Sequence, residues 1–236
     1  MQLQGPQWKE RLRWCQRAIE WIRAADPNHL INGSISWLVG HPDHDEAMSA
    51  FMPAWDVIGV EASFETVPEI NRVTVPLMKG RRTAVMVGLE TYFYQPDIVL
   101  RWRGYRAVLN RAAGVGLCPS GMLESRPEKV NFLRGLNAEL RSLAPVITDR
   151  PPSEPVTCDT EQVETLQRPH EGKLYVLAAR GTQGAGPLKV AFRPPAGKRD
   201  SIVRVLFEGR TIQPTAAGYE DQFATPRAVH AYEVGQ

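Results

Sequence analysis

The 236-residue sequence has little cysteine, almost no net charge and no long apolar run. Its three cysteines, Cys15, Cys118 and Cys158, stand far apart and none forms a CxxC pair. That excludes a zinc ribbon and a disulfide framework, and each reads instead as a small buried hydrophobe. Lys and Arg total 28 against 26 for Asp and Glu, a formal net charge of +2. Such a balance leaves no electrostatic footprint for nucleic acid, and no basic stripe runs among the aromatics. No stretch reaches the ~18 apolar residues of a membrane helix, and the opening "MQLQGPQWKERLRW" lacks the apolar core of a secretory signal. The chain reads as soluble, with no membrane or nucleic-acid partner and no address, although an export signal upstream of Met1 is compatible with it. Pro and Gly, at 19 each, fit a loop-rich globular protein, and no internal repeat is present.

What is there begins with an amphipathic helix. Trp8, Leu12, Cys15, Ile19 and Ile22 recur at steps of four and three, on one face, up to the stop in "ADPNHL". Short strands follow at "HLINGSISW" (29–37) and "WDVIGVEASF" (55–64), then a helix broken near Pro68 and Pro76. "RTAVMVGLETYFY" (82–94) carries an almost unbroken apolar strand that ends abruptly in Glu90. "IVLRWRGYRAVLNRAAG" (98–114) predicts a helix capped by Gly114, "VGLCPSGML" (115–123) a strand, and "PEKVNFLRGLNAELRSLAPVI" (127–147) a helix with Pro127 in its first turn. Strand and helix alternate, and the strands are continuous apolar runs, the pattern of parallel strands covered by helices. About four such units occur, half of an eight-stranded barrel.

After the proline-rich "TDRPPSEPVTC" (148–158) the character changes. "GKLYVLAAR", "LKVAFRPP", "SIVRVLFEGR" and "AVHAYEV" are short strands separated by turn clusters, including "QPTAAGYEDQF". These predict an antiparallel β-sandwich. The expected fold is therefore α/β plus all-β, a partial TIM-type (β/α) barrel over residues 1–150 and a β-sandwich accessory domain over 151–236. His170 and His230 fall in the sandwich and are expected on its surface.

A barrel of parallel strands builds its site at the C-terminal strand ends. There the sequence places Ser36 and Trp37, Glu61 with Phe64, Glu90 with Tyr92 and Tyr94, and Ser120 with Glu124. Neighbouring carboxylates flanked by flat rings suit glycosidic bond cleavage. One carboxyl protonates the leaving oxygen, another attacks or activates water, and the rings stack on sugar faces. The competing structural readings are an ion pair of Glu90 with Arg82 or Arg101, an ion pair at Glu61, and ordinary rim packing of Trp37, Tyr92 and Tyr94. "HPDHDE" (41–46) holds His41, His44, Asp43 and Asp45, but Pro42 breaks the helix that would align the imidazoles, so it reads as a solvated loop and no metal is assigned. Ser120 lacks the G-x-S-x-G spacing of a nucleophile elbow, and "GAGP" (184–187) and "AAGVGL" (112–117) lack the lysine of a phosphate loop.

"AIEWIRAADPNHLI", "WDVIGVEASF", "GYRAVLNRAAGVGL" and "FLRGLNAELRSLAPVI" together resemble the second half of a (β/α)8 glycoside hydrolase of the large retaining clan, which includes family 42-type β-galactosidases. "GKLYVLAAR", "VRVLFEGRTI" and "YEDQFATPRAVHAYEV" are similar to the small β-sandwich that closes such chains. The resemblance is diffuse and covers nearly the whole sequence. It implies that the first strand here is barrel strand five and "AVMVGLE" barrel strand seven. Glu90 then stands where the nucleophile belongs, with Glu61 as a supporting carboxylate and Trp37, Phe64, Tyr92, Tyr94 and Glu124 as substrate contacts. The acid/base glutamate belongs after strand four, which no segment before the opening helix supplies, so the sequence is expected to be a truncated chain or half of an assembly. The expected partner is a carbohydrate, and the chemistry needs no cofactor or metal. The rivals are a non-catalytic carbohydrate-binding or structural module and a different barrel enzyme.

Overall fold

A computed structural model of the chain describes residues 7–28, 30–34, 46, 50, 55–61, 84–91, 96–110, 112, 114–119 and 126–235. The chain divides into two compact units, Met1–Thr91 with Asn110–Pro119, and Tyr92–Leu109 with Ser120–Gln236.

In the first unit, α1 (Gln7–Ala25) precedes β1 (Asn32–Ser34), β2 (Val57–Glu61), β3 (Ala84–Thr91) and β4 (Gly114–Pro119). The strands lie side by side in the order β1-β2-β3-β4, and every pairing is parallel. Of the predicted α1 stripe, Trp8 is buried and Leu12, Cys15 and Ile19 are half-buried, whereas Ile22 is exposed. One carboxylate fixes the chain entry to the sheet. Asp56 accepts the Ile31 backbone N–H (2.8 Å) and is paired with Arg23 near the end of α1. The Ile31 amide and then Arg23 hold its carboxyl below the ordinary range, so it stays ionised. The Asp56 and Val57 amides return hydrogen bonds to the Ile31 carbonyl (3.0 and 3.1 Å). Gly33 is obligatory for a local reason: a Cβ there would run into the indole of Trp55. Among the described residues the sheet is open, with β1 and β4 at its edges, and no barrel closes.

In the second unit α2 (Asp97–Leu109) and α3 (Pro127–Ile147) join a sandwich of eight strands. These are β5 (Thr157–Cys158), β6 (Val163–His170), β7 (Lys173–Arg180), β8 (Leu188–Arg193), β9 (Val203–Leu206), β10 (Arg210–Ile212), β11 (Tyr219–Phe223) and β12 (Val229–Val234). One antiparallel sheet runs β10-β9-β12-β7-β6 and the other β11-β8-β5. Val176, Ala178, Val203, Val205, Phe192, Tyr219, Phe223 and Tyr232 form the core between them. Leu177, Ala179 and Ala231 alternate with those core positions and are buried as well, because α2 and α3 pack on the outer face of the five-stranded sheet. Trp102 anchors α2 there, its indole N–H donating to the Arg180 carbonyl (2.8 Å). On α3, Leu133, Leu136 and Leu143 are buried and Val130 and Leu140 half-buried, one apolar stripe along the helix. Pro127 stands in its first turn, as expected.

Several expectations are corrected. The 98–114 helix ends at Leu109, and Gly114 opens β4 opposite Met86 instead of capping a helix. Strand β6 is absent from the sequence reading because Glu164, Gln167, Arg168 and Pro169 disguise it. Those polar side chains are spent on neighbours: Glu164 pairs with Arg106, Gln167 bonds both backbone groups of Val156, and Arg168 donates to the Ile147 carbonyl. Pro169 is tolerated because β6 is an edge strand. The "YEDQF" assigned to a turn is β11, with Tyr219, Asp221 and Phe223 pointing inward. His230 is not on the surface. It is largely buried, edge-on to Phe223 (4.6 Å between ring centroids), and its Nδ1 meets Glu208. His170 is partly buried, with Nδ1 2.6 Å from Asp149.

Candidate active site

The C-terminal edge of the parallel sheet holds the backbone positions of two predicted site residues. Glu61 is the last residue of β2 and Glu90 the last but one of β3. The register sets Glu61 opposite Gly88 and Glu90 opposite Cys118. Gly88 and Glu90 are two residues apart, so Glu61 and Glu90 hold positions of like parity, and the strand period of two assigns such positions to one face of the sheet. With strands about 4.8 Å apart and a rise of about 3.3 Å per residue, their Cα atoms are roughly 8 Å apart.

The row through Glu61 has a second property. It reads Glu61–Gly88–Gly116 across β2, β3 and β4, so two of its three positions carry no side chain. Interior glycines weaken a strand and mark places where a ligand or another backbone comes close. Here they occupy the two positions across from Glu61 in its row, with Gly88 two residues before Glu90. Sequence reading singled out the glutamates but not this glycine row, which appears only once the register aligns Gly88 with Gly116.

The other predicted contacts, Trp37, Phe64, Tyr92, Tyr94 and Glu124, lie outside the described residues, as do Arg82, His41, Asp43, His44, Asp45 and Ser120. Arg101, the second arginine considered as an ion-pair partner for Glu90, belongs to α2 and closes its fork on Glu139 of α3 (Nη2 to Oε1, 2.7 Å). It also donates to the Val229 carbonyl (3.1 Å), and Tyr105 bonds the same glutamate. Burial and then Glu139 raise the Tyr105 phenol well above its ordinary range, and the shared glutamate ties α2 to α3. Among the described residues no group of three or more His, Cys, Asp or Glu side chains could hold a metal ion. No helix among them is long and apolar enough to cross a membrane.

No protein-family model matches the sequence, and no curated protein matches it. The fold, by contrast, is similar to part of several solved glycoside hydrolases. The chain is similar to an α-amylase from Geobacillus thermoleovorans, solved in complex with acarbose, at 9% identity and a TM-score of 0.57, over 95% of this chain and 57% of that one. It is similar to a family 30 subfamily 8 xylanase from Clostridium acetobutylicum at 10% identity and a TM-score of 0.55, over 97% and 61%. A maltogenic α-amylase from Thermotoga neapolitana gives 12% identity and a TM-score of 0.53, over 100% and 60%. The chain thus spans less than two thirds of the length of these structures.

Proposed function

We propose that the chain is the C-terminal half of a (β/α)8 glycoside hydrolase, residues 1–150 continuing the barrel and 151–236 forming its accessory sandwich, a division by topology rather than by packing. The observation that carries this reading is the register at the edge of the parallel sheet, where two glutamate positions share the parity of a row that holds Gly88 and Gly116. The likeness to part of several glycoside hydrolases supports it.

Glu90 is the nucleophile. Its carboxylate attacks the anomeric carbon while the leaving oxygen takes a proton from a second carboxyl, which the family resemblance assigns to barrel strand four. A covalent glycosyl-enzyme forms, and water, deprotonated by that same second carboxyl, releases the sugar with retained configuration. Glu61 orients Glu90 or binds a sugar hydroxyl, and Trp37, Phe64, Tyr92, Tyr94 and Glu124 complete the substrate contacts. The substrate is an oligo- or polysaccharide.

Turnover of aryl glycosides and reducing-sugar release from polysaccharides, measured on the enzyme completed by the barrel half that carries the second carboxyl, test this directly. Glu90→Gln should lower kcat by at least ~10³-fold while barely moving the melting temperature, because one isosteric carboxyl is exchanged for an amide. Near-normal turnover by that variant removes Glu90 as nucleophile. Among the described residues the sheet is open and four-stranded, which favours one rival, a module that holds sugar without cleaving it. In that case the completed, unsubstituted protein binds sugar and turns over none.

A further inference from the structure

The second unit carries a groove that contains neither glutamate of the sheet edge. It runs between α3 and the β9–β10 hairpin as two lobes of about 650 and 670 Å³, and Ser142 and Phe207 line both. Phe207 therefore stands where the lobes meet.

Two facts about Phe207 are difficult to explain by folding alone. It is a large apolar side chain left 50% exposed, and its backbone is left-handed, with φ +67°. A bulky residue in that region is strained, and glycine or asparagine would make the same turn more cheaply. Gly209, two residues on, does so at φ +64°. Strain together with exposure of an aromatic ring points to a ligand.

The polar lining indicates its class. In the first lobe the Tyr175 hydroxyl donates to Glu233 Oε2 (2.9 Å), and Arg204 Nη2 donates to the same oxygen (3.0 Å). Lys173 holds the other carboxylate oxygen at 3.2 Å. This net is fixed in place, yet Arg204, with its side chain 60% exposed, keeps N–H groups free to face the groove. Across both lobes three arginines stand among four glutamates, with neither sign gathered in one place. A phosphate or a polyanion would call for an excess of cations, and a cationic ligand for the reverse. A neutral polyol fits: its ring faces stack on Phe207 and its hydroxyls meet mixed donors and acceptors.

We propose that this groove is a second carbohydrate site, holding an internal stretch of a polysaccharide with sugar units in both lobes and one stacked on Phe207. The proposal rests on the carbohydrate reading above and adds to it a place for the polymer that is separate from the cleavage chemistry.

Native electrophoresis of the full chain through gels containing amylopectin, arabinoxylan or galactan tests it, in the Glu90→Gln background so that polymer is not consumed. At least one polymer should retard the protein. Adding Phe207→Ala should weaken that affinity about tenfold or more, and Phe207→Tyr should preserve it. Alanine is less strained than phenylalanine at a left-handed position, so an unchanged or higher melting temperature confirms that the variant is folded. Retardation by none of the three polymers, or equal retardation of Phe207→Ala, overturns the proposal. So does a fall from dimer to monomer on Phe207→Ala in sedimentation, because the groove would then seat a second copy. Clearing of the polymer by the enzyme completed with its other barrel half, and its loss when Glu90→Gln is introduced there, reads the cleavage chemistry separately from retardation.

Discussion

Asp221 shows how one buried charge is kept in a sandwich core. Its side chain faces inward from β11, where an isolated carboxylate would be strongly unfavourable. Arg210 closes a fork on both oxygens (2.8 Å each), the Tyr232 hydroxyl donates at 2.9 Å and the Gln222 amide at 2.8 Å. Burial pushes the Asp221 carboxyl up, but the Arg210 fork, the amide and the hydroxyl outweigh it, and its pKa falls below the ordinary range. Glu208 behaves alike: burial raises it, and His230 and Arg210 bring it below its ordinary value. Each group then binds fewer protons folded than unfolded in the acid range, so stability rises with pH there. The contribution is complete above the ordinary carboxylate range and is lost as pH falls through the lowered folded values, below about pH 4. Melting temperature should be level from about pH 5 to 8 in this respect and drop steeply below about 4. Asp221→Asn should make that acid drop shallower and lower stability near neutrality by about 1–3 kcal/mol, a partly exposed Arg210 softening the loss. Thermal melts of both proteins across that range check it.

At the scale of elements, α2 is bound to the sandwich through Trp102, which is buried and hydrogen-bonded to the Arg180 carbonyl, together with Arg101 on the Val229 carbonyl and Arg106 on Glu164. Trp102→Ala should destabilise the chain by about 3–5 kcal/mol in denaturant titrations. Trp102→Phe keeps most of the packing but leaves that carbonyl without its donor, which should cost about 1–3 kcal/mol. The tendency of residues 98–109 to form a helix was legible in the sequence. Which surface it would cover was not, because its apolar positions run nearly all round and so name no single face. The same limit applies to the strands. β2, β3 and β7 declare themselves by β-branched, apolar content, whereas β6 and β11 spend polar side chains on tertiary partners that local pattern cannot show. Glu164 and Asp221 look like loop residues until Arg106 and Arg210 are set beside them. At the candidate site the acidic tip of β3 was legible from the apolar run before it. The facing glycine row was not, because register is a relation between strands.

For the molecule as a whole, a net charge of +2 bears on what it binds. A partner held through phosphates is released steeply by salt, with losses of about 10³-fold or more for some six contacts between 50 and 200 mM. Association with a neutral polysaccharide carries no such counterion term. Retardation by the preferred polymer should therefore hold from about 50 to about 500 mM sodium chloride, while no retardation by DNA is expected even at low salt. Electrophoresis at graded ionic strength reads both outcomes at once.

The chain passes between its two units three times, after Thr91, after Leu109 and after Pro119, so that α2 is donated to the sandwich from between two strands of the parallel sheet. A gene fragment beginning at residue 151 would encode all eight sandwich strands and neither of their covering helices. Leu177, Ala179 and Ala231 would then lose their roof. The sandwich is accordingly not a transplantable cassette: recombination that moved it to a new host protein would have to carry α2, and with it the flanking strands.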